Sequence, residues 1–121
     1  MKYKILYVLP EFETNTYLVW DEESMEALLI DPAFPSPLLK KEIKQNNLKL
    51  KYVVNTHGHA DHIGGNEFVL RNFKVPLCIH PNDAEMLENP RLNLSASFGI
   101  EIVSPPPDIL LNDGDKLTIG D

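Results

Sequence analysis

The run Thr56-His57-Gly58-His59-Ala60-Asp61-His62-Ile63-Gly64-Gly65 concentrates three of the chain's four histidines and one aspartate between positions 57 and 62. Imidazole suits zinc, iron, copper and nickel, whereas a carboxylate suits harder ions. A mixed nitrogen and oxygen donor set without thiolate therefore points to zinc, iron or manganese in a catalytic setting. The spacers serve the same end. Gly58 and Ala60 are small enough for the backbone to turn tightly, so that neighbouring side chains converge. Gly64 and Gly65 permit backbone angles that other residues avoid, and they are expected to start a helix whose positive N-terminus faces the site. The competing reading is a solvated histidine-rich loop or an opportunistic weak metal site. One histidine would ordinarily be structural, but three with an aspartate, after a strand and before Gly-Gly, favour the metal. Catalytic zinc usually takes three ligands from the protein plus water, which four candidate side chains can supply to one ion.

The elements that must position this run alternate between strand and helix, which makes the chain α/β. Tyr3 to Leu9 reads as a strand stopped by Pro10, and Thr16 to Trp20 pairs with Met25 to Ile30 across the polar turn Asp21-Glu22-Glu23-Ser24. Ser36 can cap a helix with Pro37 at its first position, where a missing N–H does no harm. Leu39 and Ile43 share one face of that helix. Lys40, Lys41 and Lys44 lie toward its C-terminal end as a solvated face that suits the dipole. Tyr52-Val53-Val54 is a buried strand that delivers the chain into the histidine run, a place where α/β sheets hold ligands. Asn66 to Phe73 reads as a helix, Val75 to Ile79 as a strand, and Pro81 as the start of a short helix with Met86 and Leu87 inward. From Glu88 to Pro107 the pattern weakens into a loop. The last stretch reads as a hairpin, Ile109 to Leu111 and Lys116 to Ile119, about the turn Asn112-Asp113-Gly114-Asp115.

Composition narrows the function. At 121 residues the chain is most simply one domain, with room for a core that needs no disulfides. A net charge of −7 argues against nucleic-acid binding and against an anionic membrane surface. The lone Cys78 excludes an intrachain disulfide and fits a reducing compartment. The apolar stretch Ile5 to Leu9 is too short for a signal-peptide core, and nothing approaches a membrane span. The expected location is cytoplasmic.

The histidine run resembles the His-x-His-x-Asp-His motif of the metallo-β-lactamase superfamily, whose members include glyoxalase II-type thioester hydrolases, lactonases, nucleases and β-lactamases. Asn15-Thr16-Tyr17-Leu18, the Ile30-Asp31-Pro32 loop and Asn112-Asp113-Gly114-Asp115 are similar to the family's N-terminal half, nearest the glyoxalase II-like (hydroxyacylglutathione hydrolase-like) branch. The resemblance implies half of an αββα sandwich: a mixed sheet, antiparallel at its start, with helices on one face. It implies that His57 and His59 bind a first metal and that Asp61 and His62 bind a second. The complete site would hold two zinc ions, with iron or manganese as alternatives. A metal-bound hydroxide would then attack a small-molecule thioester, such as an acylglutathione, or a related ester or lactone, with Asp61 helping to orient it. Two other functions fit the same resemblance. One is an iron-dependent persulfide dioxygenase on this scaffold, and the other is a catalytically incomplete half acting as an assembly or binding module.

The family continues with a later histidine turn, a bridging aspartate and a final histidine in a second half, whereas only His80 follows His62 here. Residues 1–121 therefore read as a single domain cut before that half. An apolar sheet face is expected where the second half would pack, and copies of the chain could associate through it. His80 lies outside the motif and is expected to be structural or partly exposed. Asp31 has two equal readings: a carboxylate that orients a metal-bound histidine, or a turn residue before Pro32. Cys78, mid-strand among apolar neighbours, is expected to be buried and inert. Trp20, Tyr17 and Phe34 could line a substrate pocket, although core packing is the default for aromatics at strand ends.

Overall fold

The computed structural model of the chain describes residues 1–12 and 14–120. Its frame is one six-stranded sheet whose spatial order follows the chain: β1 (Lys2–Leu6), β2 (Thr16–Trp20), β3 (Glu26–Ile30), β4 (Lys49–Val54), β5 (Leu77–Ile79) and β6 (Ile109–Leu110). The first three strands are antiparallel, and β3 through β6 run parallel. This is the mixed α/β sheet with an antiparallel start that the sequence implies.

Parallel neighbours need crossovers, and two helices supply them. Between β3 and β4 lies α1 (Pro37–Gln45), where the Ser36 hydroxyl accepts a hydrogen bond from the Leu38 N–H at 3.2 Å. Between β4 and β5, a single turn α2 (Ala60–Ile63) is followed by α3 (Asn66–Phe73). Leu39 and Ile43 of α1 and Val69 of α3 join Leu18, Leu29, Val53 and Leu77 of the sheet in one buried cluster. Each such fully buried side chain contributes about 1.5–3 kcal/mol.

Side chains alternate across a strand, so the residues between these core positions face the other way. Tyr3, Val19, Leu28 and Tyr52 lie side by side in register, beside a second row of Ile5, Tyr17, Ile30 and Val54. None of them joins the core cluster, and Tyr3 is 69% exposed. The chain thus carries the open apolar sheet face that its sequence predicts. Trp20 packs at the margin of the core cluster, whereas Tyr17 lines a shallow groove on the open face.

Three expectations require correction. The closing hairpin does not form. Only Ile109–Leu110 is extended, and it adds in parallel to the free edge of β5, held by Asp108 N–H to Leu77 O and Leu111 N–H to Ile79 O, both at 2.8 Å. The Asp113-Gly114 turn is present, but Lys116 to Ile119 runs on until the Gly120 N–H reaches the Glu26 carboxylate at 2.8 Å. The first strand ends at Leu6, because its partner β2 begins at Thr16 and nothing pairs beyond. The short helix expected from Pro81 forms as a 3-10 helix to Leu87, with Leu87 buried and Met86 half-buried. Gly64 and Gly65 have ordinary backbone angles, so their role is spatial. A Cβ on Gly64 would sit 2.5 Å from Ala33 O, and one on Gly65 would sit 2.7 Å from Phe34 O.

Candidate metal centre

Strand β4 delivers Asn55 and Thr56 to the edge of the sheet, and the histidine run turns immediately into α2. A single helical turn thus begins inside the motif, at Ala60, and α3 follows directly after Gly65. Gly58 makes that turn possible. A Cβ there would lie 2.5 Å from Met86 Cβ, and its N–H donates to the Asp83 carboxylate at 3.1 Å.

His57, Asp61 and His62 each place one ligand atom within 4.8 Å of the others. His62 Nε2 lies 3.4 Å from Asp61 Oδ2, and the His57 and His62 rings are 3.9 Å apart at their centroids. His59 lies outside this group. It is exposed and stacks edge-on against His57 with centroids 5.0 Å apart. The structure therefore brings three of the four sequence-predicted ligands together. His80 stands apart as the exposed cap of the 3-10 helix, accepting from Asn82 N–H at 3.1 Å.

Asp31 organises the cluster. It is 3% exposed, has a positive φ of 52°, and accepts the Thr56 N–H at 2.7 Å. Its Oδ2 lies 2.9 Å from His62 Nδ1 and 2.5 Å from the Thr56 hydroxyl. A hydroxyl has one proton. Because that of Thr56 goes to the carboxylate, its oxygen must accept from His57 Nδ1, 3.1 Å away. Both imidazoles then hold a proton at Nδ1, which leaves Nε2 to face an ion when the ring is neutral. Of the two readings of Asp31, the structure supports the carboxylate that orients a histidine. The donor set also fits a divalent ion: two oriented imidazoles and a carboxylate, partly shielded from water.

Sequence reading missed the supports of this arrangement, which come from a distant segment and from the residues flanking the motif. The buried Thr14 donates to Asp61 Oδ2 at 2.7 Å, leaving Oδ1 available. Asn55 and Asn66, both buried, exchange side-chain hydrogen bonds of 2.8 and 3.2 Å beneath the motif. The available signal was the polar run Thr14-Asn15-Thr16 ahead of an apolar strand. Cys78 is a buried free thiol, and burial together with the Asp108 charge pushes its pKa up to about 11, as an inert thiol requires.

The two clustered imidazoles titrate in opposite directions. Burial and the neighbouring His62 charge depress His57, outweighing the attraction of Asp31. Burial also pulls His62 down, but its hydrogen bond to Asp31 and the charges of Asp31 and Asp61 win, and its pKa rises. NMR titration of the metal-free chain is expected to show His57 with a midpoint below 6.5 and His62 above it. The stability from His62 is fully present below 6.5 and fades as pH rises through its folded value; His57 instead costs stability as pH falls below 6.5. Equal midpoints would contradict the arrangement.

Residues 9–121 match the metallo-beta-lactamase superfamily. The chain belongs to that superfamily. It is 30% identical over 121 residues to the probable metallo-hydrolase YqgX of Bacillus subtilis, covering 99% of this chain and 56% of that protein. A hydroxyacylglutathione hydrolase of Synechococcus is 33% identical over 112 residues, 92% of this chain and 37% of the relative. The mitochondrial persulfide dioxygenase ETHE1 of Mus musculus is 50% identical over 70 residues, 57% of this chain and 27% of that protein. The crystal structure of the B3 metallo-beta-lactamase BLEG-1 superposes with a TM-score of 0.89 at 32% identity, over 98% of this chain and 57% of that one. TTHA1623, crystallised in a di-iron-bound form, gives a TM-score of 0.70 at 28% identity, over 85% of this chain and 51% of that one. The chain thus spans about half the length of YqgX and BLEG-1. Among the described residues no helix is long and apolar enough to cross a membrane.

Proposed function

We propose that this chain supplies the first ligand cluster of a metal-dependent hydrolase acting on a thioester or a related ester or lactone. The observation that carries the reading is the Asp31 carboxylate, which anchors His62 directly and His57 through Thr56. His57, His59, Asp61 and His62 are the proposed ligands, with His59 reaching the cluster by side-chain rotation. Bound zinc would supply Lewis acidity and a water acidic enough to act as a nucleophile near neutral pH. The protein's own contribution is orientation. Asp31 and Thr56 hold the two Nδ1 protons, burial keeps His57 neutral, and Thr14 fixes Asp61 so that Oδ1 can accept a proton from the nucleophile.

The match to a persulfide dioxygenase and the di-iron neighbour favour a second reading, an iron-dependent oxidation on the same ligands. We further assign the open sheet face to packing against more protein, a second copy of the chain in the simplest case. The buried free cysteine fits a cytoplasmic location.

The deciding measurement is metal per chain and oligomeric state in the same sample, prepared without added metal and again after zinc or iron loading. With only four candidate ligands, about one tightly held ion is expected, because catalytic zinc usually takes three protein ligands. Thioester hydrolysis by the zinc form supports the first reading, and oxygen uptake with a persulfide by the iron form supports the second. Well-folded protein that binds neither metal excludes both and leaves a binding module.

A further inference from the structure

Beside the ligand cluster lies a cleft of about 230 Å³ that reaches His59 and Asp61. Phe12 and Phe34 line it together with Leu94, Phe98 and Ile100 of the long loop after Glu88. Phe12 and Phe98 meet edge to face with ring centroids 5.5 Å apart. All five of these side chains are substantially exposed, Phe98 at 61%. Large apolar residues gathered at the surface next to a reactive centre mark a binding site and not a core.

The lining also defines what cannot bind there. Among the described residues no Lys or Arg lines the cleft, and Asp61 is its one acidic side chain. A dicarboxylate peptide such as glutathione would find no counter-charge, on a chain whose net charge is −7. Volume sets the size of the guest. A cavity of roughly 150 Å³ holds one benzene ring, so 230 Å³ takes a phenyl ring on a short linker or a chain of about six carbons.

We propose that this cleft binds the uncharged apolar acyl group of the substrate, a medium-chain or aryl-acyl thioester or ester, and that the loop carrying Leu94, Phe98 and Ile100 sets acyl-chain selectivity. The inference rests on the hydrolase reading and narrows it. The acyl carbon would face Asp61 and His59, with the leaving group directed away from the cleft. Water adds to the acyl carbon as the C–S or C–O bond breaks. One water proton goes to the departing sulfur or oxygen, and the other is released when the acid product ionises. No electrons are exchanged with any third reactant.

The test begins on the metal-free chain, so that binding is read apart from catalysis. NMR titrations with acetamide, hexanamide and glutathione serve as acyl and leaving-group probes. Each fully buried methylene favours binding about fourfold, so hexanamide should bind at least about tenfold tighter than acetamide in this half-open cleft. Shifts should map to Phe12, Phe34 and the loop around Phe98, and glutathione should leave those resonances unmoved. Phe98→Ser is an exposed substitution, checked for folding by circular dichroism, and should abolish the preference. Equal affinities, or a preference unchanged in Phe98→Ser, overturn the proposal. The zinc-loaded chain is then given acetyl and hexanoyl thioesters of N-acetylcysteamine. Faster hydrolysis of the hexanoyl ester supports the assignment; equal rates overturn it and leave the hydrolase reading standing. A binding preference with neither ester hydrolysed supports the apolar cleft and shows that this chain alone does not complete the hydrolytic site.

Discussion

Asp31→Ala is expected to weaken zinc binding by about 10- to 100-fold, the usual effect of removing the partner of a metal-bound histidine. One carboxylate here serves two imidazoles, which places this change near the upper end. Without it, His62 Nδ1 and the Thr56 N–H lose their acceptor together, and the Thr56 hydroxyl no longer has a reason to turn its oxygen toward His57. Two partly buried donors without acceptors should also lower the unfolding free energy by about 1–2 kcal/mol. Part of any loss in the alanine variant comes from the backbone, because φ at this position is 52° and alanine resists that conformation. Asp31→Asn separates the two effects. Asparagine tolerates a positive φ and can still accept the Thr56 N–H, but it has no second anionic oxygen for His62. Its zinc affinity should fall about tenfold with most of the stability retained. Chelator competition gives the affinities and urea titration the stabilities. Zinc affinity unchanged in both variants would remove Asp31 from the site.

What could be read in advance was local in sequence. The cluster of His57, Asp61 and His62 was legible because its side chains are spaced within a few residues, and the Ser36-Pro37 start of α1 because a cap and an N1 proline act on their own turn. Asp31 could be singled out but not assigned, since its partners Thr56 and His62 lie 25 and 31 residues away. Thr14 was missed for the same reason: its bond to Asp61 spans 47 residues. The Asn112-Asp113-Gly114-Asp115 turn was a correct local signal with the wrong consequence. A turn can bring two segments together, but the free edge of β5 competed for Ile109 and Leu110 and won. Gly64 and Gly65 show a different ambiguity. Sequence marks where a side chain is absent without saying whether its angle or its volume is the obstacle, and here it was the volume, against the carbonyls of Ala33 and Phe34.

Asn93→Ala is expected to be the most destabilising single change in the long loop, costing at least about 3 kcal/mol, because it orphans three groups at about 1–3 each. Asn93 is fully buried, and its amide donates to Met86 O at 2.9 Å and Ile102 O at 2.8 Å. Its side-chain oxygen accepts the Ser95 N–H at 3.0 Å. Its own carbonyl accepts the Ala60 N–H at 2.8 Å, so the residue ties the loop to the first position of α2. Against a total stability of about 5–15 kcal/mol for a small domain, the loss should be plain in urea and thermal unfolding. Asn93→Asp provides the discriminating control. It keeps an acceptor for Ser95 but cannot donate to either carbonyl, so it should be at least as damaging although the shape is unchanged. In the alanine variant at low temperature, the ligand cluster, which Asn93 does not touch by its side chain, should bind zinc within a few-fold of the parent. The hexanamide preference, which depends on the position of Leu94, Phe98 and Ile100, should disappear. A loss below about 1 kcal/mol in Asn93→Ala would mean that the loop is held by something else. A retained acyl preference in a loosened loop would mean that Phe12 and Phe34 alone make the cleft.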